Sequence, residues 1–295
     1  MAAQKVGADL AYIFCANDAA INLRSRSPDL TVIPVLDSSN PVMEIKPWLR
    51  NIHTLVFGPG LGTDKNMIHS AKDILVEAIK LEIPVVIGGQ VMSIVMDSPK
   101  IIHGYKQCIL TLSDDEFQLA YDSIVSEKHE HSGVKRARFH TDIRAHNNQQ
   151  TVDLAKSLGG VTVINGNVIT NGSIIIQCNA GNGNTTCEHS GDALSGSLGT
   201  FFYWATNETL RTESKIHKTK RTTLAAYGSV FMSRMCNAES PNELINTIGS
   251  IFRSYFDHDE GNVFIIAMYQ FQTYTFINKM IFNFHFLLIF FIVVL

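Results

Sequence analysis

The chain has 295 residues, enough for one large domain or two small ones. Its 24 Lys and Arg against 27 Asp and Glu give a net charge of −3, which argues against a nucleic-acid binder because such proteins carry a basic excess. The hydrophobic content of 45% excludes a disordered acidic protein, and the low charged fraction of 17% indicates a segment more apolar than a soluble surface requires.

The N-terminal segment MAAQKVGADL has no basic region followed by a long apolar stretch, so it does not predict a secretory signal peptide. A residue pattern typical of a folded domain begins almost at once, which indicates that the chain begins inside a domain. The five cysteines are odd in number and include no CxxC pair. This usage predicts reduced thiols in an intracellular protein rather than a disulfide framework.

Short apolar runs in the first two thirds of the chain predict buried β-strands. They are continuous rather than alternating, as expected for strands of a sheet that is covered on both faces. The runs are Leu55–Phe57, Val85–Ile87, Ile109–Leu110, Val161–Ile164 and Ile174–Ile176.

Amphipathic helices are predicted between and after these runs, because apolar residues recur at the spacing of one helix face. One helix extends from about Asp64 to Lys80, a second contains Leu194 to Ala205, and a third contains Leu224 to Phe231. A fourth begins at Ser240-Pro241-Asn242-Glu243, which combines a capping box with proline at the first helical position. Strands that alternate with helices predict an α/β fold with a mainly parallel sheet.

Two stretches differ from this pattern. The segment Ser126–Gln150 has no apolar periodicity and predicts a surface loop that leads into a helix running to Leu158. From Gly261 onward Phe, Ile, Leu and Val dominate, and the ten residues Phe286–Leu295 include no polar side chain. A membrane-spanning helix needs about 20 apolar residues, so an apolar tail is favoured over a membrane anchor, which stays open. We therefore divide the chain into a domain of residues 1–257 and an apolar tail of residues 258–295.

The first candidate site is the segment Gly58-Pro59-Gly60-Leu61-Gly62, which joins a predicted strand to a predicted helix. Glycines let a backbone turn tightly and approach a ligand, and the helix N-terminus supplies unpaired N–H donors. In open α/β sheets ligands lie at the carboxyl ends of strands, as this loop does. An ordinary strand-to-helix turn is the alternative.

The second candidate site is Gly191-Asp192 at the start of a helix, preceded by a small, polar stretch from Asn179 to Thr186. A glycine-rich loop that runs into a helix start is suited to holding a polyphosphate through backbone donors. The Asp192 carboxylate could deprotonate a hydroxyl that then attacks a phosphoryl group. Taken alone, Asp192 is better explained as an N-cap or first-turn carboxylate that the helix dipole favours.

In combination and in this order, the motifs resemble the ribokinase-like superfamily and, more narrowly, the ATP-dependent NAD(P)H-hydrate dehydratase family. The resemblance rests on the glycines of 58–62, on Leu110–Phe117 after a middle strand, and on Gly191–Gly199. It covers about residues 5–255. It implies a ribokinase-like three-layer sandwich, with a mainly parallel central sheet flanked by helices and an N-terminal strand region that is truncated in this chain.

The resemblance also implies a reaction and its partners. The family repairs the S form of NADH or NADPH hydrated at C6: ATP phosphorylates the new hydroxyl, and loss of phosphate restores the reduced dinucleotide. It therefore implies ATP and Mg²⁺ as cofactors, and the NAD(P)H hydrate and ATP as partners, with no nucleic acid. It is also compatible with a homo-oligomer and with a cytoplasmic or mitochondrial location.

By position, the resemblance assigns roles to individual residues. Asp192 would be the base, and the N–H groups of Gly191 and Asp192 would stabilise the transferring phosphoryl group. The hydrate would be bound by Gly62, Ser113, Asp114, Asp115, Glu116, Phe117, Gln118, Leu119 and Asp192. ATP would be bound by Asn165, Gly166, Asn182, Gly183, Asn184, Thr185, Thr186, Cys187, Glu188, His189, Ser190 and Gly191.

Three departures from the family pattern keep other functions open. The family has two glycines and a variable residue before Gly-Asp. It has Asp-Ala-Asp-Gly after the strand that corresponds to Val85–Ile87, and Lys-Gly after the strand that corresponds to Val161–Ile164. This chain has Glu188-His189-Ser190, Gly88-Gly89-Gln90-Val91 and Asn165-Gly166 there. The Glu188 carboxylate, if about 4 Å from a phosphate charge, would repel that charge by ~4 kcal/mol at an effective dielectric of ~20. The alternatives are a catalytically impaired relative that binds nucleotide or a protein partner, and a ribokinase-like small-molecule kinase.

Overall fold

The computed structural model describes residues 1–27, 30–126, 143–181, 190–206, 218–236, 238, 240–256 and 290–294. The described strands are β1 Leu10–Cys15, β2 Thr31–Pro34, β3 Thr54–Phe57, β4 Val85–Gly88, β5 Cys108–Leu112, β6 Thr162–Asn165, β7 Val168–Thr170, β8 Ile175–Gln177 and β9 Phe290–Val294. The described α-helices are α1 Ala2–Lys5, α2 Asn17–Arg26, α3 Pro41–Leu49, α4 Lys65–Lys80, α5 Met92–Asp97, α6 Asp114–Tyr121, α7 Ile143–Ser157, α8 Ser190–Thr206, α9 Lys218–Met235 and α10 Pro241–Phe256.

The described strands form one sheet in the order β2-β1-β9-β3-β4-β5-β6-β7-β8. All pairs from β2 to β6 are parallel, and only the β6-β7-β8 end is antiparallel. The prediction of an α/β fold with a mainly parallel sheet is therefore confirmed, and each of the five predicted strands falls on an observed one.

Helices cover both faces of the sheet, and this explains why the strands are apolar without alternation. Leu55 and Phe57 of β3 pack into a core shared with α3 to α7, whereas Val56 between them belongs to a second core with α1, α2 and α8 to α10. Successive side chains of a strand point to opposite faces, so a strand covered on both faces needs apolar residues at every position. The three-layer prediction is confirmed.

The predicted helix starts coincide with side-chain caps. The Asp64 carboxylate accepts hydrogen bonds from the backbone N–H groups of Asn66 and Met67 at 2.9 and 3.0 Å, so α4 begins at Lys65. At the start of α10, the Glu243 N–H donates to the Ser240 hydroxyl at 3.3 Å. The helix predicted to run to Leu158 is α7, and residues 127–142 before it lie outside the described residues.

Strand β9 lies in the middle of the sheet, although its residues belong to the segment predicted as a tail. It is parallel to β1 on one side and to β3 on the other, and Ile292 aligns with both Tyr12 and Leu55. The division at residue 257 stays a prediction, because residues 257–289 lie outside the described chain. None of the helices that the structure describes has the length and apolarity to cross a membrane.

No disulfide joins the described cysteines, and the reduced state stays a prediction. Cys15, Cys108, Cys178 and Cys236 are buried, and Cys187 lies outside the described residues. Burial raises the pKa of the Cys15 and Cys178 thiols, which favours the unreactive protonated form.

Candidate active site

The candidate active site lies along the edge where the parallel strands β3 to β6 end. Gly58 follows β3, Gly89 follows β4, Ser113 follows β5 and Gly166 follows β6. The start of α8 reaches the same edge, because its Ser195 hydroxyl lies 3.0 Å from the Thr111 hydroxyl near the end of β5. The fold thus gathers the glycine-rich segment, the segment after β5 and the start of α8 at the strand ends, where open α/β sheets bind ligands.

The glycines after β3 have two different roles. Gly58 has φ of +113°, and a Cβ there would lie 1.6 Å from the Gly88 carbonyl oxygen. Its loop therefore packs backbone against backbone on the end of β4. Gly62 has φ of +73°, but a Cβ there would meet no atom within 4 Å. Gly58 is required for packing, whereas Gly62 borders open space that a ligand could enter.

These roles predict unequal effects of two alanine substitutions. Gly58→Ala should destabilise the protein by more than ~3 kcal/mol, because the new Cβ must displace the backbone of Gly88. Gly62→Ala should cost only about 1 kcal/mol, the price of a left-handed conformation for a residue with a side chain. Urea unfolding of both variants measures the difference. Similar losses of unfolding free energy would show that the close approach of Gly58 to Gly88 is not what makes glycine necessary at residue 58.

The segment after β5 uses several predicted hydrate-binding residues for local structure. The Ser113 N–H and hydroxyl both donate to the Glu116 carboxylate, at 2.9 and 2.8 Å, and the Glu116 N–H donates to the Ser113 hydroxyl at 3.4 Å. This capping box starts α6. Phe117 is buried in the core beneath it, and Gln118 donates to Asp122 at 2.9 Å.

Four predicted residues of α6 have exposed side chains, namely Asp114, Asp115, Gln118 and Leu119. Asp114 and Asp115 lie in its first turn, where the helix dipole favours carboxylates. Leu119 is a large apolar side chain with 61% of its surface exposed. Hydrate binding by the residues of this segment stays a prediction.

Two predicted ATP-binding residues lie at the turn after β6. The Asn165 side chain is buried, and its amide nitrogen donates to the Thr151 hydroxyl of α7 at 3.2 Å. Gly166 has φ of +58°, and a Cβ there would meet no atom within 4 Å. The Asn165 amide thus joins α7 to the sheet, whereas the open side of this turn is at Gly166.

The start of α8 carries the predicted catalytic residues. Gly191 and Asp192 are exposed in its first turn, and a Cβ at Gly191 would meet no atom within 4 Å. The N–H groups of a first turn have no partner inside the helix, so this turn can bind an anion beside the Asp192 carboxylate. Ser190 is the first residue of α8, and residues 182–189 of the predicted ATP loop lie outside the described residues.

Sequence reasoning missed the buried hydroxyl contact behind this turn. Thr111 and Ser195 are 7% and 2% exposed, and Ser195 also donates to the Gly191 carbonyl at 2.9 Å. The only signal in the sequence is a threonine in an apolar strand and a serine in a helix.

The described part of the chain contains no group of three or more His, Cys, Asp or Glu residues that could hold a metal ion. A Mg²⁺ ion bound to nucleotide phosphates usually keeps several waters and takes only one or two protein carboxylates. The exposed Asp192 carboxylate is compatible with such a complex, which would bring its own phosphate ligands.

Comparison with known proteins agrees with this arrangement. The sequence profile of the NAD(P)H-hydrate dehydratase family matches residues 1–248. The chain belongs to this family. The matched residues include the glycine-rich segment, the segment after β5 and the start of α8. All three parts of the candidate site therefore lie within the region that matches the family.

Individual relatives extend this result. The ATP-dependent (S)-NAD(P)H-hydrate dehydratase of Mus musculus is 34% identical over 269 residues, covering 87% of this chain and 74% of the mouse protein. The protein of the same name from Danio rerio is 35% identical over 270 residues, covering 87% and 77%. A ribokinase-like superfamily protein from Enterococcus faecalis V583 has a TM-score of 0.59 at 17% identity, covering 86% of this chain and 80% of its own. This last similarity shows the fold alone.

Proposed function

We propose that this chain is an ATP-dependent dehydratase that converts the S form of C6-hydrated NADH or NADPH into NAD(P)H, ADP and phosphate. The observation that supports this most is the exposed Gly191-Asp192 turn at the start of α8, joined to the carboxyl ends of the parallel strands in a member of the NAD(P)H-hydrate dehydratase family. Relatives at 34–35% identity bear the name of this activity.

The residues of the α8 turn suit the phosphoryl-transfer step. The Asp192 carboxylate would accept the proton of the C6 hydroxyl as its oxygen attacks the γ-phosphorus, and ADP would leave. The N–H groups of Gly191 and Asp192 would stabilise the charge that develops on the transferring phosphoryl group. The C6–O bond would then break with loss of a proton from the neighbouring ring carbon, which releases phosphate and restores the double bond.

ATP would enter as its Mg²⁺ complex, in which the metal neutralises phosphate charge. On the protein side, Ser190 and Gly191 at the helix start and Gly166 after β6 are the described residues of the predicted nucleotide site. On the hydrate side, Gly62 and the exposed Asp114 and Asp115 border the same edge of the sheet. The cytoplasmic or mitochondrial location and the homo-oligomeric state stay predictions.

A catalytically impaired nucleotide-binding protein is the second candidate function. The residues that end β4 and follow it are Gly88, Gly89 and Gln90, so this strand delivers no carboxylate to the site edge. A site with fewer carboxylates could still bind nucleotide through the helix start while turning over slowly.

The test is turnover of the purified chain with the S hydrate of NADH, ATP and Mg²⁺. We expect the near-ultraviolet absorbance of reduced nicotinamide to return, with one ADP formed for each NADH. The R hydrate is the matched control substrate and should not react. If the folded protein binds ATP but forms neither product while the mouse relative is active, the impaired alternative is correct. ADP formation with another alcohol alone would identify a small-molecule kinase.

A further inference from the structure

Two hydroxyl groups connect the start of α8 to the sheet. The Thr111 hydroxyl near the end of β5 lies 3.0 Å from the Ser195 hydroxyl, which is one helical turn after Gly191. Both side chains are buried, so the contact is shielded from water. Because it lies between a strand of the central sheet and the turn that carries Asp192, movement of that turn would break it.

The donor–acceptor distances favour one arrangement of the hydrogens in this pair. A hydroxyl donates one hydrogen bond, and the Ser195 hydroxyl donates to the Gly191 carbonyl at 2.9 Å. The Thr111 hydroxyl then donates to Ser195 at 3.0 Å, in preference to the Ile87 carbonyl at 3.4 Å. The hydrogen bonds therefore run in one direction, from β5 through Ser195 to the backbone of the catalytic turn.

The end of β4 leaves room for this chain of hydrogen bonds. A Cβ at Gly88 would lie 2.4 Å from the Thr111 hydroxyl and 3.5 Å from the Ser195 hydroxyl. The absence of a side chain at residue 88 therefore lets Thr111 keep the rotamer that reaches Ser195.

We propose that Thr111 and Ser195 are positioning residues for phosphoryl transfer, because their hydrogen bond holds the first turn of α8, with Asp192 and its backbone N–H, against the end of β5. This inference rests on the proposed function of Asp192. Both residues would act through the backbone at Gly191, to which they connect by consecutive hydrogen bonds. Catalytic geometry is sensitive to displacements of about 1 Å, so a modest loosening of this turn should slow the reaction.

The same helix provides a matched control. The Ser197 and Ser229 hydroxyls are also buried and lie 2.8 Å apart, and both donate to the Leu194 carbonyl at 3.0 Å in alternative arrangements. This second pair joins α8 to α9 rather than to the strand ends. Removing it should disturb packing about as much as removing the first pair, without releasing the catalytic turn.

The experiment compares four variants of the full chain. Thr111→Val keeps the shape of the side chain but removes the hydroxyl, and should lower kcat about tenfold with the KM for ATP within about twofold of wild type. Thr111→Ser retains the hydroxyl and should keep kcat near wild type. Adding Ser195→Ala to Thr111→Val should lower kcat no further, because without the Thr111 hydroxyl the Ser195–Gly191 hydrogen bond no longer connects the turn to β5. Ser229→Ala should leave kcat within about twofold of wild type.

Hydrogen exchange gives a readout that does not depend on activity. The Ser195 amide should exchange about tenfold faster in Thr111→Val but not in Ser229→Ala, because only the first change loosens this turn. If the wild-type protein shows no dehydratase activity but this difference is found, the proposed function fails and the positioning contact stands. Unchanged exchange at Ser195 in Thr111→Val, or an equal loss of kcat in Ser229→Ala, would overturn the inference.

Discussion

Asp192→Asn is expected to lower kcat by about 10²- to 10⁴-fold and to leave the free energy of unfolding within ~1 kcal/mol of wild type. Asparagine has nearly the same shape as aspartate but cannot accept the hydroxyl proton. The Asp192 side chain is exposed in the first turn of α8, so the substitution disturbs no core packing. Loss of rate without loss of stability would be the mark of a general base.

The measurement combines steady-state turnover of the S hydrate with chemical unfolding of the same preparation. Glu243→Gln is the matched control, because it neutralises another first-turn carboxylate, that of α10, which no prediction places in the site. It should leave kcat unchanged. Wild-type rates in Asp192→Asn would show that another group takes the proton, and a parallel loss of stability would assign Asp192 a structural role.

Ile292→Pro is expected to destabilise the domain by about 3 kcal/mol or more. Ile292 is the middle residue of β9, which pairs with β1 and β3 on its two sides. Proline has no backbone N–H and within sheets is tolerated mainly in edge strands. In a central strand it removes a backbone hydrogen bond to the neighbouring strand. The loss should exceed that of most surface substitutions several-fold.

Ile292→Val is the control for this experiment, because it keeps an apolar, β-branched residue at the same position. Its free energy of unfolding, measured in urea, should lie within about 1 kcal/mol of the wild-type value. If Ile292→Pro is as stable as Ile292→Val, residues 290–294 contribute nothing to the folded domain and behave as the separate tail that the sequence predicts. Hydrogen exchange at β1 and β3 would report the same distinction locally.

The sequence predicted the central strands and the amphipathic helices well, because their signals are local. A strand such as Leu55–Phe57 is covered on both faces and must be apolar throughout, and α4 begins where Asp64 can cap it. The capping box of Ser113 and Glu116 has the same kind of signal, a serine followed three residues later by glutamate, and could have been found.

Other features depend on contacts between distant residues and carry no local signal. The place of β9 is decided by pairing with β1 and β3, so its composition alone fits a tail, an anchor or a central strand. Likewise, nothing near Thr111 in the sequence indicates Ser195, which lies opposite it only after α8 has packed on the sheet. For the same reason the close approach of Gly58 to Gly88 could not be predicted.

The position of β9 also affects the order of folding. Tyr12 and Ile292 are partners in adjacent strands although about 280 residues separate them. During synthesis on the ribosome, β1 and β3 are therefore made long before the strand that joins them. Until then each exposes a row of unpaired backbone groups, which chaperones or another nascent chain could engage. Contacts of such high sequence separation also slow folding, so this sheet should close late, only after residues 290–294 have been made.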